Sequence, residues 1–184
     1  MAGTRSSTQL VEAALHLIAE SGLDSLTLSQ VAERAQVSRA TAYREFGDKD
    51  GLLSAVAQRE IAAMSSAVLA AVDLRGEPCN VVPSVVTAAL RYLRDHAAFT
   101  YVRDHEPHWL LRAGLTVGND RLNLVQTVAG LVAPAIHPHP ALALAPLPAA
   151  EVVVRTVLSH TLIEDSSLDD QQVAEAVTRA ITKA

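Results

Sequence analysis

Apolar residues recur at helical spacing along most of the chain. Leu10, Val11, Ala14, Leu15 and Ile18 share one face, and Ser6 with Gln9 three residues on makes a capping box, which predicts a first helix ending near Gly22. Thr27 with Gln30 makes a second box ahead of the short stripe Leu28, Val31, Ala32 and Ala35. After Gln36 and Val37, Ser38 is a good N-cap for a third short helix whose inner side is Ala42 and Phe46. Gly47 stops that helix, and Asp48 caps a long fourth one running to about Leu74. Helical spacing resumes over Val82 to His96 and over Ala97 to Glu106, where Pro107 breaks it. Trp109 to Arg112 and Asp120 to Val132 also read as helical. The four prolines of His137 to Pro148 predict a long loop. Glu151 to Ile163 and Asp169 to Lys183 then carry apolar residues at i, i+4 and i+8, with Ser167 as the cap of the second.

Composition agrees with this pattern. Of 184 residues, 49% are hydrophobic but only 3% aromatic, so Ala, Val and Leu must fill the core, which favours packed helices and an all-α fold. The net charge of −5 excludes nucleic-acid binding through a global basic field. Residues 1 to 57 hold five cations against seven anions, so any such binding must be local. Cys79 is the only cysteine, which excludes an intrachain disulfide and fits a reducing, cytoplasmic home. The polar first residues lack a secretory apolar region, and no uninterrupted apolar run reaches the roughly 18 residues of a membrane span. No contact with a membrane is expected.

Two short helices joined by a tight turn, after a longer helix, form the layout of a helix-turn-helix, whose second helix enters the DNA major groove. Residues 27 to 46 fit it. On the second helix Ser38, Arg39, Thr41, Tyr43 and Arg44 are residues of the exposed type. Arg pairs bidentately with guanine, Thr meets a thymine methyl or a phosphate, and the Tyr hydroxyl reaches phosphate oxygens. Ser38 is a helix cap first, with a phosphate contact as an added role. Lys49 stands at the next helix's start, where backbone N–H groups also attract phosphate.

The residues Thr27, Val31, Ala32, Ala35, Val37, Ser38, Thr41, Tyr43, Phe46, Lys49, Leu52 and Leu53, at this spacing, resemble the tetracycline-repressor (TetR) family over roughly residues 5 to 55. The resemblance implies an N-terminal three-helix DNA-binding domain, residues 1–48, and a larger helical ligand-binding and dimerisation domain, residues 49–184. It also implies about nine helices, a homodimer through the last two, and an inducer cavity among helices four to eight. Carried over by position, it makes Thr27, Thr41, Tyr43 and Lys49 phosphate contacts and sets Arg39, Ala40 and Arg44 against base edges. Two residues depart from the family pattern. Gln36 stands where Gly is common, and Glu45 where His or Tyr is common.

The partners expected are therefore a double-stranded DNA operator, a second copy of the chain and a small apolar inducer that releases a repressor from DNA. Four of the six aromatics, Tyr92, Phe99, Tyr101 and Trp109, fall in one segment, with His105 and His108 as polar neighbours, and such clusters line small-molecule sites. The stripes Val154, Leu158, Leu162 and Val173, Val177, Ile181 predict a four-helix dimer interface, since a lone helix pair at the chain end would not bury both. Other readings are weaker. His105 and His108 lack a third well-spaced metal ligand and Pro107 separates them, so neither metal nor cofactor is expected. No phosphate loop, nucleophile elbow or zinc-protease motif supports an enzyme. A helical adaptor that has lost DNA contact, or a regulator without a small ligand, is the alternative.

Overall fold

The computed structural model describes residues 5–115, 123–136, 139–163 and 165–183. Among them it has ten α-helices and one 3-10 turn, so the all-α class holds and the helix number is one above expectation. The helices are α1 Arg5–Ser21, α2 Leu28–Arg34, α3 Arg39–Phe46, α4 Lys49–Ala71, α5 Pro78–Asp95, α6 Ala97–His105, α7 Pro107–Leu115, α8 Leu124–Val132, α9 Pro146–Leu162 and α10 Asp170–Ile181. None is long and apolar enough to cross a membrane among the described residues. The start expected at Asp120 for the α8 segment lies outside the described residues, as does His137 of the expected loop.

Two compact units divide the chain. The first holds the described residues up to Ala63 together with His96–Leu110, and the second holds Met64–Asp95 and Leu111 onward. This division differs from one at 48/49, because α4 begins in the first unit and ends in the second.

In the first unit Leu10, Ala14 and Ile18 of α1 meet Leu28, Val31 and Ala32 of α2, Ala42 of α3, Leu52 and Val56 of α4, and Ala98 and Val102 of α6. Ser6 and Gln9 lie inside α1, so the box predicted there does not begin the helix. The other local signals form as read. Thr27 accepts from the Gln30 N–H while the Gln30 side chain accepts from Thr27, Ser38 accepts from the Thr41 N–H, and Asp48 accepts from the Gly51 N–H.

In the second unit the core is Val86, Ala89 and Leu90 of α5, Ala149, Val153 and Val157 of α9, and Val173, Ala174, Val177 and Ile181 of α10. Three readings are corrected here. α9 begins at Pro146, so Pro146 and Pro148 sit in its first turn, where N–H groups have no intrahelical acceptor and proline is tolerated. The N-cap of α10 is Asp169, which forms a capping box with Gln172, and not Ser167. Pro107, expected only as a breaker, opens α7 directly after α6 ends. The end of α10 and the residues just after it pin the remaining loop, since the Lys183 N–H donates to the Ala141 carbonyl at 2.8 Å and the Ala143 N–H to Ile181 at 2.9 Å.

Candidate nucleic-acid interface and its supports

α2 and α3 pack on each other and on α1, with a tight turn between them. Gln36 occupies that turn at φ 56°, a left-handed conformation that costs a non-glycine residue roughly 1–2 kcal/mol. The turn is closed by the Val37 N–H donating to Ala32 at 3.0 Å and the Gln36 N–H to Glu33 at 3.1 Å. The unusual backbone is thus held by bonds on both sides of it.

α3 sorts its residues by side. Ala42 is buried and Phe46 half-buried, whereas Ser38, Arg39, Ala40 and Arg44 are exposed and Tyr43 is 52% exposed. A tyrosine ring left in water on a helix of eight residues is free to reach a partner. Thr41 is half-buried, its hydroxyl 2.9 Å from that of Ser38, so both stand at the N-terminal end of α3. Thr27 is exposed at the start of α2, and Glu45 is half-buried. Seven of the eight residues expected at DNA, all but Lys49, lie at the α2 N-terminus or in the segment Ser38–Arg44, where Thr41 is half-buried and the rest of the seven are exposed.

Lys49 is engaged elsewhere. Its ammonium donates to the carbonyls of Leu23 at 2.6 Å and Asp24 at 3.2 Å, and it lies 5.8 Å from the Trp109 ring centre. These carbonyls belong to the turn between α1 and α2, and the same turn is held on its other side by Glu106. That buried carboxylate accepts from the N–H groups of Leu23 at 2.5 Å and Asp24 at 3.1 Å. The Trp109 indole N–H donates to the Asp24 carboxylate at 2.8 Å, and His108 lies 3.4 Å from it. The indole N–H, aided by His108 and Lys49, holds the Asp24 carboxyl below its ordinary range. Sequence reasoning missed Gly22, Asp24 and Glu106, since no local signal joins positions more than 80 residues apart.

The residues expected to bind ligand do not form one group. Tyr92 lies on α5 in the second unit, while Phe99, Tyr101, His105, His108 and Trp109 lie in the first. Tyr101 stacks on His105 with ring centres 4.4 Å apart, as i, i+4 neighbours on α6. α6 itself is capped by His96, whose Nδ1 accepts from the Phe99 N–H at 3.1 Å while its Nε2 meets Glu60 at 2.6 Å. Accepting at Nδ1 places the proton of a neutral ring on Nε2, so this histidine donates to Glu60.

The expected dimer residues separate as well. Val154, Val173, Val177 and Ile181 are buried within the chain, and α10 turns its stripe onto α5 and α9, whose own apolar faces supply the cover that a helix pair lacks. Only Leu158 and Leu162 remain half-buried.

A family model described as bacterial regulatory proteins, tetR family, matches residues 10–56. The HTH-type transcriptional regulator BetI of Burkholderia cenocepacia is 40% identical over 81 residues, 44% of this chain and 42% of that protein. BetI of Paraburkholderia phytofirmans is 51% identical over 47 residues, 26% of this chain and 24% of that one. The chain thus spans less than half the length of these relatives. Among solved structures, the TetR family repressor AlkX of a Dietzia strain superposes with a TM-score of 0.70 at 20% identity, covering 95% of this chain and 91% of that one. The repressor QsdR of R. erythropolis gives 0.63 at 18% identity, covering 97% and 96%. These last two share the fold. Residues 10–56, which contain the whole helix-turn-helix just described, are the part of the chain that matches the tetR family of bacterial regulatory proteins.

Proposed function

We propose that the protein is a transcriptional repressor that binds a palindromic operator as a homodimer, with α3 in the major groove. The observation that carries this reading is the sidedness of α3: Arg39, Ala40, Tyr43 and Arg44 stand in solvent while Ala42 anchors the helix to the core. Ser38, Thr41 and Thr27 gather hydroxyls and helix N-terminal N–H groups where phosphates attach. The mildly acidic N-terminal segment makes contact local, so specificity rests on these few side chains. Lys49 has one ammonium proton beyond its two carbonyl contacts for a phosphate.

Residues 1–48 form the DNA-binding part of this reading, and residues 49–184 serve dimerisation and ligand response. Dimerisation uses the outer side of α9, where Leu158 and Leu162 remain accessible, with the exposed Leu147 at its start and Ile163 just past its end. A small apolar molecule acts through the aromatic segment around Phe99, Tyr101 and Trp109 and favours the arrangement that does not bind DNA, since equal affinity for both arrangements would shift nothing.

Selection of bound fragments from the source genome, followed by a mobility-shift titration, tests the reading. The protein should prefer the selected palindrome to its scrambled sequence, and Arg39→Ala should lose about 1–3 kcal/mol of that preference if the arginine is bidentate to guanine. Equal affinity for palindrome and scramble refutes it. Leu158→Asp should convert a dimeric mass at micromolar concentration to a monomeric one and abolish operator binding with α3 unchanged. A monomeric mass for the unmutated chain refutes the dimer.

A further inference from the structure

The turn between α1 and α2 is held by more long-range polar contacts than a surface turn requires. Its N–H groups at Leu23 and Asp24 point at one carboxylate, its carbonyls at the same two residues point at one ammonium, and the Asp24 side chain takes an indole N–H. The partners come from three places in the sequence: Lys49 opens α4, Glu106 ends α6, and Trp109 lies in the first turn of α7. All belong to the first unit.

Glu106 is the centre of this arrangement. It is 8% exposed, and a carboxylate so placed is costly to bury unless its oxygens are satisfied. Its own backbone is fixed at both ends, its N–H donating to Val102 at 2.9 Å and its carbonyl accepting from Trp109 at 3.1 Å. The turn makes room for it. Gly22 has φ +81°, and a Cβ there would collide with the Glu106 carboxylate, so this position needs glycine for its backbone and for the neighbour it admits.

We propose that Glu106 is the positioning residue of the DNA-binding head: its carboxylate, seated against Gly22, sets the angle at which α1 to α3 are held on the α6–α7 junction and so fixes where α3 points. This rests on the DNA-binding reading and adds its regulation. α1, α2 and α3 pack as one body around Ala42, Val31 and Ile18, so whatever grips the end of α1 orients α3 with it. A dimer reading two half-sites one helical turn apart tolerates little error in that angle. The grip also lies beside the aromatic segment proposed to take a ligand. A molecule that draws Trp109 from Asp24 opens one side of the clamp.

The test uses the full-length dimer, the variants Glu106→Gln and Gly22→Ala, and a series of operators whose half-sites are moved apart or together by one base pair. Glutamine keeps the shape but offers one acceptor oxygen in place of two, and alanine pushes the carboxylate off the turn. The unmutated protein should bind one spacing best and lose about tenfold per inserted or deleted base pair, within the 5–150-fold range of ordinary coupling energies. Both variants should bind the best spacing about tenfold more weakly and discriminate spacings less than about threefold, and the double variant should be no worse than either single one. Trp109, the only tryptophan, reports the turn through its bond to Asp24, so its emission should shift in both variants without DNA. A structural role alone would lower affinity at every spacing by one factor, and that result overturns the proposal, as does unchanged Trp109 emission in both variants. If the unmutated protein prefers no spacing, the dimeric operator reading fails. Trp109 emission then decides the clamp alone, a shift in both variants supporting it and no shift overturning it.

Discussion

The two units are built from the same kind of helix but are held in different ways. The second unit is joined by apolar volume: Val86 and Leu90 of α5 face Val173, Val177 and Ile181 of α10, and Ala149, Val153 and Val157 of α9 complete the layer. Among its long-range polar links is the group formed by Arg94, Asp170 and His160, in which the Arg94 guanidinium holds the Asp170 carboxyl below its ordinary range. The first unit has an apolar core of its own, but around the α1–α2 turn it adds directional bonds from Glu106, Lys49 and Trp109. Apolar contact is tolerant of rotation, whereas hydrogen bonds at 2.5 to 3.2 Å are not. Directional bonds gather where orientation matters. On the proposed function, a recognition helix must be aimed, and a body that supplies surface for association needs only to be filled.

The largest effects are expected in the cores. Leu10 and Leu90 are fully buried, one in each unit, and Leu10→Ala and Leu90→Ala should each cost about 2–5 kcal/mol of unfolding free energy in urea titrations. A loss below about 1 kcal/mol at Leu90 would mean that apolar packing is not what holds the second unit. Of middle size is the cap of α10. Asp169→Ala should cost about 1 kcal/mol, while Ser167→Ala should leave the thermal midpoint unchanged. The reverse order would restore Ser167 as the cap.

The smallest effect is the one read by pH. Asp24 and Asp170 both titrate below their ordinary value, the first chiefly through the Trp109 indole and the second chiefly through Arg94. A carboxyl depressed in the folded state contributes stability that is complete above the unfolded pKa and lost as pH falls through the folded one, so both contributions persist at pH 5 and fade below about 3.9. Trp109 emission should change in that same acid window. In Asp24→Asn the acid step should disappear. A step surviving in that variant would assign the change to another group.

The local signals were legible because their physics is local. The Thr27–Gln30 box, the Ser38 cap and the Gly47 stop each involve groups three or four residues apart, whereas the left-handed Gln36 was marked only by the resemblance, which has Gly at that position. Where local rules misled, position along the helix was the reason. Ser6 and Ser167 are cap-type residues displaced from the true ends, and Pro146 and Pro148 read as breakers although the first turn of a helix admits proline.

Helical class, the helix-turn-helix with its exposed arginines, and apolar stripes on α9 and α10 follow from the sequence alone, because periodicity and capping are properties of neighbouring residues, although on α9 the buried face is Ala149, Val153 and Val157 while Leu158 and Leu162 stay half-buried. What covers those stripes was decided by the tertiary structure. Periodicity says that Val173, Val177 and Ile181 are buried, but it does not say whether by another chain or by α5, and here it is α5 and α9. The clamp was decided there too. Gly22 reads as an ordinary helix stop and Glu106 as an ordinary acidic residue before a proline. Only the folding of α6 against α1 brings the carboxylate, across 83 residues of chain, to a backbone N–H pair where a missing Cβ leaves it room.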